Sequence, residues 1–460
     1  MKTQISLPEK HLLSKSTFMY GCQCPKRLWL HKFMPEVRDE EDETQAAIFQ
    51  TGTNIGILAQ QRFPGGVDAR PGTTYADQKS VVETAKLIAN GATIIYEAAF
   101  QFNGVLAAID VLVRHDGKWY AYEVKNSTRV KDPHILDTAL QYYVITNSGL
   151  PLEDIYILHL NREYVRYGDL DLDELFTPSS VLQKVIDLQP FIMEKELELK
   201  ALLQQKTAPE IAMGGQCNAP YACDFQDYCR ANSTIADEPK DYGPEKIDKM
   251  AIREFVAALN YPLYFLDFET WSTGVPEQDG HWPYRKVPFQ FSLHIKKTPE
   301  AALEHYGYLA EDTASNLEEF VQQLIGLTGT EGSILVYYKP FENTILRELK
   351  EDFEQYYEVI EAIQDRLVDL IIPFKKHHYY LPAMEGSASI KSVLPALIPE
   401  LSYDDLEIGN GLDASTAFYN LNKSNNITKI IEIRNSLWEY CKLDTLGMVR
   451  ILEKLNEITC

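Results

Sequence analysis

Apolar residues recur along the first half of the chain with spacings that predict strands and helices. The segment 105–125, VLAAIDVLVRHDGKWYAYEVK, contains two apolar runs separated by Asp116 and Gly117. An Asp-Gly pair between two such runs favours a β-hairpin with a two-residue turn. A helix is predicted to begin at Asp132 and Pro133, because proline is well tolerated in the first turn of a helix.

The second half of the chain shows the same alternation of strand and helix patterns. These patterns predict three strands, at 262–269, 289–295 and 333–338. They also predict four helices, near 315–326, from about Phe341, near 388–398 and near 435–456. Because both halves mix the two kinds of element, we predict an α/β fold for the whole chain.

A polar segment separates the two halves. Residues 231–250, ANSTIADEPKDYGPEKIDKM, are rich in charged residues and contain two prolines, which is typical of a linker. We therefore predict one domain over 1–235, a linker over 236–252 and a second domain over 253–460.

Composition places the chain among globular proteins that do not span a membrane. Its hydrophobic content is 45%, which is enough for a core in each domain. No apolar run reaches the roughly 18–20 residues of a membrane span. The N-terminal residues have no apolar segment of signal-peptide type, so we expect a cytoplasmic protein, most plausibly bacterial.

The net charge of −23 has the wrong sign for a protein that coats nucleic acid through electrostatic attraction. It does not exclude a nuclease, because carboxylates bind divalent cations and the cations then contact the phosphate.

The hairpin register places two acids opposite each other. With a turn at Asp116 and Gly117, the numbers of paired residues sum to 233, so Asp110 lies opposite Glu123, with Cβ atoms about 5 Å apart. Lys125 shares the face of Glu123. Two opposed carboxylates repel unless a cation lies between them, and with a lysine they are typical of metal-assisted phosphodiester cleavage. A solvent-facing pair of like charges is the alternative interpretation.

The stretches GVLAAIDVLVRHDGKWYAYEVKNSTR and DTALQYYVI resemble the PD-(D/E)XK nuclease core of the RecB type. The resemblance implies a restriction-endonuclease-like fold. It also implies that Asp110, Glu123 and Lys125 are catalytic, with the two acids holding a metal ion, and that Gln141 supports them.

This sequence departs from the RecB-type pattern at two positions. Ile145 stands where a tyrosine usually follows the glutamine by four residues, with Tyr142 and Tyr143 as substitutes nearby. In the motif GTNIG, Gly56 stands where the metal-binding histidine is expected.

Three cysteines follow the predicted nuclease core at regular intervals. Cys217, Cys223 and Cys229 are separated by five residues each, which is wider than the usual spacing of zinc ligands. Clustered thiols in a cytosolic chain suggest a bound group, and its fourth ligand would be Cys22 or Cys24.

One N-terminal cysteine plus three after the core resembles the iron–sulfur RecB-like nucleases, which include the CRISPR adaptation exonucleases and the AddB subunit. The motif CPKRLWL matches their Cys-Pro-basic-basic start. The resemblance therefore implies a [4Fe–4S] cluster on Cys24, Cys217, Cys223 and Cys229. Zinc or free thiols are the alternatives.

Further acids stand out in the second half. In YPLYFLDFETW (261–271), Asp267 and Glu269 alternate with apolar residues and would share one face of a strand. Glu342 follows SILVYY near the start of a helix. Tyr440 and Asp444 are four residues apart, so they share one helix face.

This ordered set resembles the DEDD 3′–5′ exonucleases of the ribonuclease-H-like fold, in their tyrosine-bearing form, and implies a mixed sheet. The resemblance assigns two Mg²⁺ or Mn²⁺ ions to Asp267, Glu269, Glu342 and Asp444. It assigns Tyr440 to orientation of the attacking water.

Two further residues and one wider resemblance complete the set. Asp369 is a rival metal ligand, and Lys391 is a candidate for phosphate contact. The motifs YFLDFETW, PFQFSLH, SIKSVLPAL and YCKLDT, with the complete domain order, resemble a bacterial family of unknown function.

We therefore expect a metal-dependent, exonucleolytic enzyme that hydrolyses phosphodiester bonds, with nucleic acid as its partner and DNA ranked ahead of RNA. The alternative is a non-catalytic nucleic-acid-binding or redox-sensing protein whose nuclease sites have decayed.

Overall fold

The computed structural model describes residues 8–39, 54–70, 72, 76–232, 242–403, 406–421, 424 and 426–459. The chain divides into two compact units. Unit 1 is Met1–Pro239 with Thr273–Arg285, and unit 2 is Lys240–Ser272 with Lys286–Cys460. Both units are α/β with open, mixed sheets, as the sequence predicts. None of the helices in the described part of the chain combines the length and apolar character needed to cross a bilayer.

Unit 1 is built on one sheet with helices packed against it. Its strands are β1 (Leu13–Ser14), β2 (Val67–Asp68), β3 (Ile94–Phe102), β4 (Val105–His115), β5 (Lys118–Lys125), β6 (Leu152–Leu160) and β7 (Phe176–Ser180). Its helices are α1 (Lys15–Gln23), α2 (Pro25–Phe33), α3 (54–61), α4 (Gln78–Ala89), α5 (Asp132–Asn147), α6 (Leu172–Leu175), α7 (Leu182–Asp187), α8 (Gln189–Leu202) and α9 (Gln226–Ala231).

The seven-stranded sheet of unit 1 has the order β2-β3-β4-β5-β6-β7, and β1 pairs with β4. The pairs β2/β3, β5/β6 and β1/β4 are parallel, whereas β3/β4, β4/β5 and β6/β7 are antiparallel. Helix α5 joins β5 to its parallel neighbour β6, as a parallel connection requires.

The predicted hairpin and its register are confirmed at the turn. His115 pairs with Lys118, and both turn residues have positive φ, as a two-residue hairpin turn of type I′ requires. The ladder ends at Val111–Tyr122, one pair before the predicted Asp110–Glu123 pair. The Val124 N–H, which would continue the ladder, donates instead to Asp110 Oδ2 at 2.6 Å.

Unit 2 contains a five-stranded sheet and a small two-stranded sheet. Its strands are β8 (Lys246–Ile247), β9 (Leu263–Trp271), β10 (Val287–Lys296), β11 (Leu303–Leu309), β12 (Ser333–Val336), β13 (Leu367–Asp369) and β14 (Tyr379–Tyr380). Its helices are α10 (Lys249–Ala257), α11 (Leu317–Thr328), α12 (Lys339–Asp352), α13 (Tyr357–Asp365), α14 (Ile372–Lys375), α15 (Ile390–Leu397), α16 (Gly411–Leu421) and α17 (Ile427–Thr459).

The main sheet of unit 2 has the order β11-β10-β9-β12-β13, and β14 pairs with β8 separately. The pairs β9/β10 and β10/β11 are antiparallel, whereas β12 is parallel to both β9 and β13. The central strand β9 is buried on both faces: Phe265 and Trp271 enter one core, and Leu266 and Phe268 enter the other. Burial on both faces explains the nearly continuous apolar sequence of this strand.

The predicted linker differs from the structure in its second part. Residues 236–241 lie outside the described residues, but 246–252 contain β8 and the start of α10. The Asp248 side chain caps α10 by accepting the Ala251 N–H at 3.0 Å. The charged residues that suggested a linker are exposed residues of this helix and its N-cap. Local composition alone does not distinguish such a helix start from a loop.

The predicted strand at 333–338 is also shorter in the structure, because β12 ends at Val336. Tyr338 adopts a left-handed conformation with φ 83°, which lies outside regular strand geometry. Its N–H donates to Asp369 Oδ1 at 3.0 Å, and this contact stabilises the turn into α12.

The segment Thr273–Arg285 belongs to unit 1 although it follows β9 directly. Tyr284 Oη donates to the carbonyl of Asn126 at 3.0 Å. Arg166 Nη1 donates to the carbonyls of Pro276 and Glu277 at 3.1 and 3.0 Å. The sequence analysis assigned this segment to the second domain, because no local pattern shows which core a loop will join.

Candidate functional sites

Three of the predicted metal ligands meet in unit 2. Asp267 and Glu269 point to the same face of β9, and Asp444 on α17 lies opposite them; one oxygen atom of each lies within 4.8 Å of the others. Within the described ranges, these three form the one group of metal-ligating side chains at such a separation. The prediction that Asp267 and Glu269 share a strand face is confirmed.

Helix α17 completes this acid cluster because it packs against β9 and β10. Tyr440 lies one helical turn before Asp444, and both side chains are buried. Two residues that the sequence analysis missed contact the acids: Tyr403 Oη donates to Asp444 Oδ1 at 2.6 Å, and Cys441 Sγ lies 3.5 Å from Asp267 Oδ2. Tyr403 lies outside the motifs identified in the sequence, and Cys441 lies in YCKLDT without an assigned role, so the tertiary structure is needed to reveal both contacts.

The acid cluster is electrostatically costly without a cation. Burial, followed by the charge of neighbouring acids, raises the pKa of Asp267 and of Glu269 well above the usual range. Burial also raises the pKa of Asp444 to about 6, although the hydrogen bond from Tyr403 and the charge of Lys391 oppose the shift. Carboxylates gathered in this way are expected to bind protons or metal ions.

Lys391 supplies positive charge near the cluster. Its Nζ atom lies 5.5 Å from the ring centroids of both Tyr403 and Tyr440, and it donates to the Gly409 carbonyl. Its charge favours ionisation of the three clustered acids. Lys391 is therefore part of the site environment, as a candidate phosphate contact should be.

Glu342, the fourth predicted ligand, lies outside the group of three but beside it. It is only 2% exposed in the first turn of α12, and its Oε2 atom has no hydrogen-bond partner among the described residues. Burial, and then the charge of Asp267, raise the pKa of Glu342. The rival Asp369 uses Oδ1 to accept the N–H groups of Tyr338 and Ile371, which gives this atom a structural role in the turn.

The predicted acids of unit 1 also lie together, but their surroundings differ. Glu123 Oε1 accepts hydrogen bonds from Lys125 at 2.8 Å and from Lys15 at 2.7 Å. Glu123 Oε2 accepts one from Gln141 at 2.5 Å. Burial opposes ionisation of Glu123, yet the two lysine charges lower its pKa. Burial, and then the charge of Glu123, raise the pKa of Asp110.

Gln141 connects α5 to the hairpin. Its side chain is fully buried, and Nε2 also donates to the Ala108 carbonyl at 2.6 Å. Tyr143, a proposed substitute for the missing tyrosine, donates to Glu196 at 2.7 Å instead. At Gly56 on α3, an added Cβ would meet no atom within 4 Å. The residues 52–53 of the GTNIG motif lie outside the described residues.

Three charged residues of this site were missed by the sequence analysis: Lys15, Asp137 and Glu97. The β3/β4 register passes from Tyr96–Val111 to Ala98–Ile109, so Glu97 and Asp110 stand at the same level of the two strands without forming a ladder pair. After burial, the charges of Glu123 and Glu97 raise the pKa of Asp110, so the three acids belong to one centre. Glu97 lies on β3, a strand that was not predicted.

The four predicted cluster ligands line one pocket: Cys24, Cys217, Cys223 and Cys229. Cys22 is absent from that lining and packs against the main core of unit 1, where burial raises its pKa to about 12. The salt bridge from Arg27 Nε to Asp224 Oδ1, at 2.8 Å, joins the N-terminal and C-terminal cysteine segments. The sequence-based choice of Cys24 over Cys22 therefore agrees with the geometry.

The fold and its sites define an α/β protein with two buried acidic centres and a four-cysteine pocket. Residues 264–389 match a family model described as "Domain of unknown function (DUF2779)". This range includes Asp267, Glu269 and Glu342, but Asp444 lies beyond it.

One similar protein is an uncharacterized protein, UU173, of Ureaplasma parvum serovar 3. It is 28% identical over 190 residues, which cover 37% of this chain and 27% of that protein. The chain therefore spans about a quarter of the length of this relative.

The stability of the metal-free protein should fall as pH rises from about 4 to about 6. The Asp444 carboxyl group has a pKa of about 6 in the folded protein and near 3.8 in the unfolded chain. Between these pH values the folded protein keeps a proton that the unfolded chain has released. Asp267 and Glu269 shift in the same direction and extend the decline. Mn²⁺ should reverse the loss at about pH 7.5 and have little effect near pH 5, where protons occupy the carboxylates.

Thermal melts at both pH values, with and without Mn²⁺, measure this effect. Asp444→Asn should weaken both the pH dependence and the Mn²⁺ stabilisation. If Mn²⁺ raises the melting temperature of this variant as much as that of the wild type, the assignment of Asp444 as a metal ligand is contradicted.

Proposed function

We propose that the protein is a divalent-metal-dependent nuclease, and that unit 2 acts as a 3′–5′ exonuclease of the DEDD type. The carrying observation is the buried group of Asp267, Glu269 and Asp444, whose oxygens converge within 4.8 Å. The unpartnered, buried Oε2 atom of Glu342 supports the same interpretation. A divalent ion with oxygen ligands satisfies such a set of carboxylates.

The sheet of unit 2 supports this assignment. If β9 to β13 are numbered 1 to 5, the strand order in the sheet is 3-2-1-4-5. Strands 1, 2 and 3 pair in antiparallel fashion, and strands 4 and 5 run parallel to strand 1. This order is the one expected of a ribonuclease-H-like sheet. The acids lie on the central strand β9 and on the elements that pack beside it.

The residues of unit 2 have distinct roles in the proposed reaction. Divalent ions held by Asp267, Glu269, Asp444 and Glu342 would lower the pKa of water and neutralise phosphate charge. Burial, and then the charges of Asp444 and Glu269, raise the pKa of Tyr440 above its usual range. Tyr440 therefore stays protonated and can donate a hydrogen bond that orients the attacking water.

Unit 1 is proposed as a second nuclease of the PD-(D/E)XK type. Its order of strand β3, hairpin β4–β5, helix α5 and parallel strand β6 supports this fold. Asp110 and Glu123 are the candidate metal ligands. Lys125 carries the positive charge that would stabilise the attacking group or the developing negative charge.

A digestion assay tests the proposed function. The full chain is incubated with DNA and RNA oligonucleotides labelled at the 5′ end, in Mg²⁺, Mn²⁺ or a chelator. We expect stepwise shortening from the 3′ end in the presence of either metal and none with the chelator, with DNA cut faster than RNA. Binding without cleavage in both metals would favour the non-catalytic alternative.

The cysteine pocket is proposed to hold a [4Fe–4S] cluster. The four cysteines that line this pocket supply the four thiolates that such a cluster needs. When bound, the cluster would cross-link the N-terminal and C-terminal segments of unit 1.

Anaerobic purification should yield a chain with about four irons and a broad absorption band near ~400 nm. Cys24→Ser should lose most of this iron, because it removes one thiolate ligand. Cys22→Ser, the matched control, should keep the iron, because Cys22 lies outside the pocket. Equal iron loss in both variants, or zinc in place of iron, would contradict the assignment.

A further inference from the structure

Lys15 contacts the acidic centre of unit 1 from the first turn of α1. Its Nζ atom lies 2.7 Å from Glu123 Oε1 and 3.4 Å from Asp137 Oδ2. Lys125 contacts the same two acids, at 2.8 and 2.5 Å. Two lysines and two carboxylates therefore alternate in a closed ring of ion pairs, and neither lysine pairs with one acid alone.

The backbone fixes where Lys15 enters this ring. Strand β1 pairs in parallel with β4, with Leu13 opposite Val105. Ser14 then caps α1, and its side chain accepts the Thr17 N–H at 3.3 Å. Lys15 follows immediately, so a paired strand and a capped helix hold it in place.

The other end of α1 is fixed beside the cysteine pocket. Gln23 Nε2 donates to the carbonyls of Gln216 and Tyr221, at 2.7 Å each. Cys24 follows directly and lines the pocket. Helix α1 therefore connects the cysteine segment to the acidic centre as one rigid element.

The charges explain why a second lysine is needed. Glu123 is 2% exposed and Asp137 is 8% exposed, so a single lysine would leave one carboxylate of the pair without a full counter-charge. An unpaired charge at such a site is destabilising. With Lys15 present, the two acids and the two lysines balance.

We propose that Lys15 is a positioning residue of the unit 1 site: it holds Glu123 and Asp137 so that the Lys125 ammonium keeps one orientation. The proposal rests on the proposed nuclease function of unit 1. Lys15 acts through the two acids, and its removal should therefore affect turnover more than substrate binding.

The kinetic test uses the full chain with Asp267→Asn and Asp444→Asn, which disable the unit 2 site. Lys15→Met should lower kcat by at least about 10-fold and change KM by less than about twofold. Lys15→Arg should restore most of the activity, because it restores the charge. Lys118→Met, which removes an exposed hairpin lysine paired with Glu153, is the matched control and should change neither parameter.

Mn²⁺ titration of the same chains, followed by electron paramagnetic resonance, gives a readout that does not depend on cleavage. Lys15→Met should tighten Mn²⁺ binding by at least about threefold, because a cation that competes for Glu123 is removed. Lys118→Met should bind Mn²⁺ as the parent chain does. If Lys15→Met does not fold, Lys15→Gln replaces it in both measurements.

The two readouts separate the proposals. A parent chain that binds Mn²⁺ without cutting, with tighter binding after Lys15→Met, would refute nuclease activity in unit 1 and still support Lys15 as a positioning residue of a cation site. Wild-type-like kcat and Mn²⁺ affinity in Lys15→Met would overturn the proposal. Absence of Mn²⁺ binding in both chains would overturn it as well.

Discussion

Replacing Asp267 with asparagine should abolish the 3′–5′ exonuclease activity proposed for unit 2, with kcat lowered by more than about 1,000-fold. This loss exceeds the roughly 10- to 100-fold effect of residues that only support a metal ligand. Asparagine keeps the shape of the side chain but removes the charge that would bind the ion, and Asp267 converges with Glu269 and Asp444 within 4.8 Å. The measurement is the rate of shortening of a 5′-labelled strand in Mn²⁺.

The control for this variant is Glu439→Gln on the same helix as Asp444. The Glu439 side chain is 56% exposed and forms an ion pair with the nearby Lys442, so its replacement should leave the rate unchanged. Asp267→Asn should also be at least as stable as wild type without metal at neutral pH, because it removes one of several buried like charges. If Asp267→Asn shortens the labelled strand at the wild-type rate, unit 2 is not the catalytic unit.

Lys125→Met should lower the cleavage proposed for unit 1 by about 100- to 1,000-fold, comparable to removing a group that stabilises transition-state charge. The ammonium lies 2.8 Å from Glu123 and 2.5 Å from Asp137, and it is the only side chain of the implied catalytic set that carries positive charge. The measurement is cleavage of a substrate in the Asp267→Asn background, where unit 2 no longer shortens strands.

Lys125→Arg sharpens this test. The planar guanidinium differs in shape and hydrogen-bond geometry from an ammonium, so the substitution should fail to restore activity. Lys15→Arg should succeed, because Lys15 needs only to keep its ion pairs.

Loss of activity in Asp267→Asn alone, or in Lys125→Met alone, would assign cleavage to one unit. Full activity in both variants would contradict the proposed roles of both residues.

Local patterns were sufficient for several parts of the candidate sites. The Asp-Gly turn set the hairpin register because a two-residue turn leaves one way to pair the strands. The two-residue period of β9 placed Asp267 and Glu269 on one face, and the helical period of α17 placed Tyr440 and Asp444 one turn apart. These relations connect residues that are close in the chain, and backbone geometry alone determines them.

Residues from distant elements that contact the acids could be identified only in the folded chain. Lys15 reaches Glu123 across 108 positions, and Tyr403 reaches Asp444 across 41. Periodicity shows which face of a strand or helix is buried, but it does not show which distant element will cover that face. The amino-acid sequence therefore specified the acids and their local faces, whereas tertiary packing brought Lys15, Tyr403 and Cys441 into contact with them.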